Sequence, residues 1–184
     1  MIHKGTKVLE TERLILRKFK IEDAQNMFDN WASNPNVTKY LTWGPHENVE
    51  ITKLIINDWL KGYEEDNYYQ WAIEVKEIGE PIGSISVVRI NETVNEVEIG
   101  YCIGEKWWGK GYTAEAFKEI ITFLFNAVGA NRICAKHDTD NPNSGRVMVK
   151  CGLQYEGTLR KAGKNSTNAV CDLAVYSILK GEEK

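Results

Sequence analysis

The stretch EIGYCIGEKWWGKGYTAEAF, residues 98–117, decides how the rest of the chain is read. A β-period pattern ends near Ile103, a loop covers Lys106 to Lys110, and Gly111 opens a helical pattern. The first turn of any helix carries main-chain N–H groups with no intrahelical acceptor. Together with the helix dipole they favour a nearby anion by about 0.3–1 kcal/mol at an exposed site. Gly109 and Gly111 carry no Cβ, so the backbone can approach such an anion closely, and Lys106 and Lys110 add positive charge. The spacing therefore predicts a phosphate or diphosphate held around Trp108, Gly109, Lys110, Gly111, Tyr112 and Thr113. Two other phosphate motifs overlap here. Gly104-x4-Gly109-Lys110 is nearly a P-loop, but Gly111 stands where a magnesium-holding Ser or Thr is needed. Gly109-x-Gly111-x-x-Ala114 fits the dinucleotide fingerprint, which calls for further parallel units. Taken alone, the loop also allows a tight turn that binds nothing.

Outward from this loop, Thr113 to Val128 reads as the strongest helix. Ala114, Phe117, Ile120, Ile121, Leu124, Phe125 and Val128 form one apolar stripe, ended by Gly129. Arg132 to His137 reads as a strand, giving a parallel, right-handed strand–helix–strand unit. Upstream, Gln70–Val75, Ile82–Ile90 and Val97–Ile103 are strands joined by short turns, hence antiparallel. Before them come a strand at Leu14–Phe19 and a helix at Ile21–Trp31 that breaks at Asn34-Pro35-Asn36. An aromatic loop, Tyr40 to His46, leads to a helix at Val49–Leu60 with Ile51, Leu54, Ile55 and Trp59 in register. Downstream, a short helix at Ser144–Lys150 precedes strands at Leu153–Arg160 and Ala169–Leu179, joined by a polar loop with Gly163 and Asn165. The pattern predicts one α/β (α+β) domain over 1–184, with its core at about 10–179. Its three layers hold a central mixed, mostly antiparallel sheet of about seven strands.

At 184 residues, 42% hydrophobic and 27% charged, the chain is long and apolar enough to bury a core. A net charge of −3 and a pI of about 5.7 argue against a nucleic-acid partner. Cys102, Cys134, Cys151 and Cys171 form no C-x-x-C pair and read as reduced core thiols. Lys4 and Lys7 are followed by no apolar run, and no stretch has the length of a membrane span. These features predict a cytoplasmic protein with no membrane partner. His3, His46 and His137 are scattered, and Cys134 and His137 lack a second ligand pair, so no metal is expected.

Lys-x-x-Gly-x-Gly, Lys106 to Gly111, resembles the coenzyme A signature of the GNAT N-acetyltransferase superfamily, usually Gln/Arg-x-x-Gly-x-Gly/Ala. ETERLILRKFKIEDA (10–24), EIGYCI (98–103), WGKGYTAEA (108–116), DNPNSGRVMVKCGL (140–153) and YEGTLR (155–160) resemble, in order, the subgroup containing ribosomal-protein N-terminal acetyltransferases. The resemblance covers about Glu10 to Leu179. It implies the acyl-CoA N-acyltransferase fold, with the sheet splayed between Val97–Ile103 and Arg132–His137. It further implies acetyl-CoA as cosubstrate, its pantetheine arm entering the splay beside Tyr101, Cys102 and Ile103 and its diphosphate resting on Trp108 to Thr113. Lys106 departs from the usual Gln or Arg.

Acetyl transfer in a ternary complex needs a neutral amine and a proton for the departing thiolate. By the resemblance, Asn141 holds the pantetheine arm and Ser144 contacts or protonates the thiolate; both are also good turn and N-cap residues. Glu98 is the nearest match to the strand carboxylate that serves some relatives as base, and an ion-paired glutamate is its alternative reading. A glutamate after the YEG-like turn in some relatives has no counterpart here, where Lys161-Ala162-Gly163 stands. By the resemblance, Trp31, Tyr40 and Trp43, with His46, mark the acceptor side, where aromatic faces hold a peptide or a cation; core packing of Trp31 and loop packing of Trp43 are the alternative readings. The acceptor implied is an amine, foremost a peptide N-terminal α-amine. A polyamine or aminoglycoside, or a non-catalytic acyl-CoA sensor, are the alternatives. The chain is expected to be a monomer or homodimer.

Overall fold

The computed structural model describes residues 1–183. Its eight strands are β1 (Leu9–Glu10), β2 (Leu14–Arg17), β3 (Gln70–Val75), β4 (Glu80–Asn91), β5 (Glu96–Ile103), β6 (Arg132–Asp138), β7 (Gln154–Lys164) and β8 (Val170–Leu179). They form one sheet in the order β1-β2-β3-β4-β5-β6-β8-β7. Only β5 and β6 run parallel; every other neighbour pair is antiparallel. The eighth strand, beyond the seven expected, is β1, a two-residue piece too short to show a period.

The five helices are α1 (Ala24–Met27), α2 (Pro35–Thr38), α3 (Val49–Gly62), α4 (Tyr112–Phe123) and α5 (Pro142–Lys150). On one face of the sheet, Leu14, Leu16, Trp71, Ile73, Ile85, Val97 and Ile99 bury against Phe117, Ile120 and Ile121 of α4 and Leu124 of the π-helical turn after it. On the other, Ala72 packs with Phe19, Ala24, Met27, Trp31 and Ile56. Alternate strand residues serve opposite faces, which produces the three layers.

Three expectations are corrected. The helix at 21–31 is broken into a 3-10 turn, α1 and a π-helical turn at Phe28–Ala32, and Pro35 starts α2 as well as ending what precedes it. The Asn34 side chain accepts the Asn36 N–H, which caps that start. Helix α3 buries Thr52 and Ile56, leaving Leu54 68% and Ile55 38% exposed. The Thr52 hydroxyl is satisfied by His46 Nδ1 at 2.8 Å, which makes it tolerable inside. Gly163 lies within β7, so the joining loop is shorter than expected.

A charge ladder crosses β4, β5, β6 and β7. Arg132 contacts Glu96 at 2.6 Å and Glu156 at 2.6 Å, and Arg89 bridges Glu96 and Glu98. The Arg132 guanidinium, helped by the Ser177 hydroxyl, holds the Glu156 carboxyl down to about 2. A folded pKa below the ordinary value means stability that is present above about 4.5 and is lost as pH falls toward 2. Glu156→Gln is expected to flatten that acid-side loss in urea melts between pH 5 and 3. At neutral pH its cost is under about 1 kcal/mol, because the carboxylate is half-exposed.

Candidate active site

The β5–β6 ladder pairs Glu96–Ile99 with Arg132–Ala135 and then stops, although β5 continues to Ile103 and β6 to Asp138. Past Ile99 the two parallel strands diverge, and the β6-facing edge of Gly100, Tyr101, Cys102 and Ile103 takes no strand. This is a splayed sheet whose open edge can accept an extended chain.

At the mouth of the splay stands the head of α4. Gly111 is its N-cap, in the left-handed region at φ 83°, and Gly109 has φ 76°. Among the described residues, no acceptor meets the main-chain N–H of Gly109, Lys110, Gly111, Tyr112, Thr113 or Ala114; the next, Glu115, donates to the Gly111 carbonyl at 3.1 Å. A Cβ on Gly109 would meet open space, and one on Gly111 would come 3.6 Å from the Arg13 guanidinium. Consecutive free N–H groups, a helix dipole and a nearby guanidinium suit a diphosphate. Lys106 and Lys110 are exposed, Lys106 lying over the Trp107 ring at 5.1 Å. Trp108 is 44% exposed and its indole N–H donates to the Ile103 carbonyl at 2.9 Å, so it braces the end of β5 beside the loop.

Sequence reading missed Arg13. Its guanidinium donates to the Lys110 carbonyl at 3.1 Å, pairs with Glu115 at 2.6 Å and lies 4.4 Å from the Tyr112 ring centroid. Burial alone would raise the Glu115 carboxyl. Bonds from the Thr11 hydroxyl and from Arg13 outweigh burial and hold it below its ordinary value. The clamp ties the start of β2 to the first turn of α4. The residues are 102 positions apart, so no local pattern signals it.

On the far side of the splay, Asn141 precedes α5. Its side chain makes no cap bond, and neither does Ser144. The Ser144 hydroxyl instead donates to the Tyr101 oxygen at 3.2 Å, and the Tyr101 hydroxyl donates to the Ser144 carbonyl at 2.8 Å. Burial pushes the Tyr101 phenol well above its ordinary value, opposed by the Ser144 bond. Gly145 lets α5 sit close on β6: a Cβ there would lie 2.6 Å from His137 Nε2. His137 Nδ1 donates to the Asp138 carbonyl at 2.7 Å, and its Nε2 is buried with no hydrogen-bond partner.

Glu98 lies in the paired part of β5, opposite Cys134, and contacts Arg89 at 3.0 Å and Lys136 at 2.9 Å. It is a bridged carboxylate, with both contacts cationic. Trp31 is fully buried and shows no surface to an acceptor. Trp43 is half-buried, packs against the cluster that holds Trp31 and Cys102, and meets His46 at 5.3 Å between ring centroids. Burial lowers His46 below its ordinary value. Tyr40 carries Lys39 over its ring at 4.9 Å. The β7–β8 turn reaches this loop, Ser166 donating to the Lys39 carbonyl at 3.3 Å.

All four cysteines are free thiols. Among the described residues, no group of three or more His, Cys, Asp or Glu suits a metal ion, and no helix is long and apolar enough to cross a membrane.

The family model of the acetyltransferase (GNAT) domain matches residues 13–154. The uncharacterized N-acetyltransferase YoaA of Bacillus subtilis is 36% identical over 177 residues, covering 96% of this chain and 98% of its own. The ribosomal protein uS5-alanine N-acetyltransferase of Escherichia coli is 27% identical over 157 residues, covering 81% of this chain and 79% of its own. A solved structure of a probable acetyltransferase superposes with a TM-score of 0.85 at 26% identity, over 96% of this chain and 98% of that one.

Proposed function

This chain belongs to the acetyltransferase (GNAT) family and is an acetyl-CoA-dependent N-acetyltransferase, and on that premise we propose that its acceptor is the N-terminal α-amine of a basic protein or peptide, as for ribosomal-protein acetyltransferases. Bound acetyl-CoA supplies an activated acetyl thioester: the amine lone pair forms the C–N bond, the C–S bond breaks, the thiolate takes up one proton and the amine gives one up. The free N–H groups from Gly109 to Ala114 hold the diphosphate, with Arg13 nearby. The open edge of Gly100 to Ile103 and the uncapped Asn141 amide bind the pantetheine arm. Ser144 presents its hydroxyl to the thiolate.

The observation that carries the α-amine reading is the state of Glu98. Arg89 at 3.0 Å and Lys136 at 2.9 Å both engage its carboxylate in the paired part of the sheet, so it is not presented to an amine in the splay. An α-amine has a pKa near 7.7–8.0 and a lysine near 10.4, so roughly a tenth of the former and under a thousandth of the latter are neutral at pH 7. Proton transfer to water then suffices for an α-amine. The surface beside the acceptor loop supports a basic polypeptide. Ile51, Leu54 and Ile55 form a partly exposed apolar stripe on α3. Glu47 is exposed just ahead of α3, and with the net charge of −3 it offers mild attraction to a cationic segment that carries an apolar side chain. We place the enzyme in the cytoplasm on the same reading.

Thiol release from acetyl-CoA tests this. A basic peptide with a free N-terminus is expected to be acetylated fastest, ahead of the same peptide with a blocked N-terminus and free lysines, spermidine or an aminoglycoside. Faster turnover of lysines or of a small amine contradicts the proposal, and thermal stabilisation by acetyl-CoA with no thiol release from any amine identifies a sensor. Ser144→Ala is expected to lower kcat roughly 10–100-fold, at or below the low end for a lost proton donor because water partly replaces it, with acetyl-CoA affinity within about twofold. An unchanged kcat removes Ser144 from the chemistry.

A further inference from the structure

Ser144 is held at both ends by one phenol. The Tyr101 hydroxyl donates to the Ser144 carbonyl at 2.8 Å, and the Ser144 hydroxyl donates back to the Tyr101 oxygen at 3.2 Å. The phenol itself is fixed. Its ring packs on Phe117 of α4 at 5.6 Å between centroids, and its strand residue sits past the last β5–β6 pair, inside the splay. One side chain thus joins β5, α4 and the first turn of α5 at the point where the sheet opens.

We propose that Tyr101 is a positioning residue for acetyl transfer: it selects the Ser144 rotamer and fixes the height of the first turn of α5, so that the Ser144 hydroxyl faces the splay when a thiolate leaves. The inference rests on the assignment of Ser144 to the thiolate and adds to it.

Two physical arguments favour positioning over proton donation by Tyr101. First, its proton is held by a main-chain carbonyl at 2.8 Å, whereas the Ser144 proton rests on a longer 3.2 Å contact and needs only a turn about the Cβ–Oγ bond to face a thiolate in the splay. Second, handing that proton on would leave a phenolate in a buried site, and burial already disfavours the charged form. A hydroxyl free of such a tie samples three staggered rotamers, so most of its orientations point away from the reacting sulfur. Nothing else orients this one: among the described residues the Ser144 side chain makes no other hydrogen bond and caps no helix N–H. The contact joins residues 43 positions apart, which is why motif reading of Asn141-x-x-Ser144 leaves it out.

The test is a double-mutant cycle on the full-length enzyme with its fastest acceptor. Tyr101→Phe keeps the ring and removes only the hydroxyl. It is expected to lower kcat about tenfold while KM for acetyl-CoA stays within about twofold, the size of one lost hydrogen bond. In the Ser144→Ala background the same change is expected to lower kcat no further, because there is no hydroxyl left to place. Incorporation of 3-fluorotyrosine at 101 retains both bonds and is expected to restore the rate with an unshifted pH–rate profile. An unchanged kcat in Tyr101→Phe, or losses that multiply in the double variant, overturns the inference while leaving Ser144 in place. A pH–rate profile that moves with fluorination also overturns it, making Tyr101 a proton donor. If Ser144→Ala alone is silent, the Ser144 assignment fails and positioning fails with it. Melting curves with acetyl-CoA confirm that each variant is folded and loaded.

Discussion

Gly111→Glu is expected to abolish acetyl-CoA binding at concentrations that saturate the parent enzyme. Gly111 sits at φ 83°, where a residue with a Cβ pays roughly 1–2 kcal/mol for the left-handed conformation. Its Cβ would point toward the Arg13 guanidinium, 3.6 Å away, so the new carboxylate competes with the diphosphate for that cation and for the free N–H groups from Gly109 to Ala114. Like charge against a diphosphate in a site of reduced dielectric adds further loss. At about 1.4 kcal/mol per factor of ten, a combined loss of roughly 3 kcal/mol or more weakens binding over a hundredfold. Calorimetry with acetyl-CoA reads the change directly. Affinity within threefold of the parent enzyme means that the diphosphate lies elsewhere. Gly109→Ala is the milder companion, since its Cβ meets open space and only the backbone conformation at φ 76° is penalised.

Gly104→Ala is expected to cause a large loss of stability for a single added methyl. A Cβ at Gly104 would lie 2.3 Å from the Asn30 carbonyl oxygen and 2.8 Å from the Trp107 ring. The first contact is with backbone, in the π-helical turn that follows α1, so no side-chain rotation relieves it. The Gly104 N–H is also committed, donating to the Ile82 carbonyl at 2.9 Å, which prevents the residue from sliding away. Overpacking of this kind costs typically 1–3 kcal/mol and sometimes more. For a chain of this length that corresponds to a fall in Tm of roughly 2–12 °C. Gly104 lies between the end of β5 and the phosphate loop and touches the acceptor-side layer, so KM is expected to rise for both acetyl-CoA and amine. A Tm within 1 °C of the parent shows that the layers yield there more easily than the packing implies.

The parts of this molecule that were readable in sequence are those whose physics is local. Helix α4 and the π-helical turn at Leu124–Val128 that follows it announce themselves through a stripe from Ala114 to Phe125, and the head of α4 through two glycines that do adopt positive φ. The parallel crossover follows from strand, long helix and strand in succession, and the alternation of Val97 and Ile99 with Glu98 matches their burial. The misread parts depend on partners remote in sequence. Thr52 faces inward in α3 because His46 satisfies it, and a rule that sends Leu54 and Ile55 to the core cannot see that bond. Trp31 was legible both as an aromatic on the acceptor side and as a core residue of the first helical face, and its full burial decides for the core. Glu98 was correctly placed on its strand, whereas its cations come from β4 and β6, on either side. Arg13 carries no helix-head signal, yet it clamps the glycine loop to the head of α4 across the fold.

The central claim is that unpartnered main-chain amides at the head of α4 grip the diphosphate of coenzyme A. Two-dimensional amide NMR of the full chain during titration with coenzyme A tests it most directly. The account predicts that the N–H resonances of Gly109, Lys110, Gly111, Tyr112 and Thr113 shift furthest and saturate together, followed by those of Tyr101 to Ile103. Saturable binding with those loop resonances unmoved would contradict it.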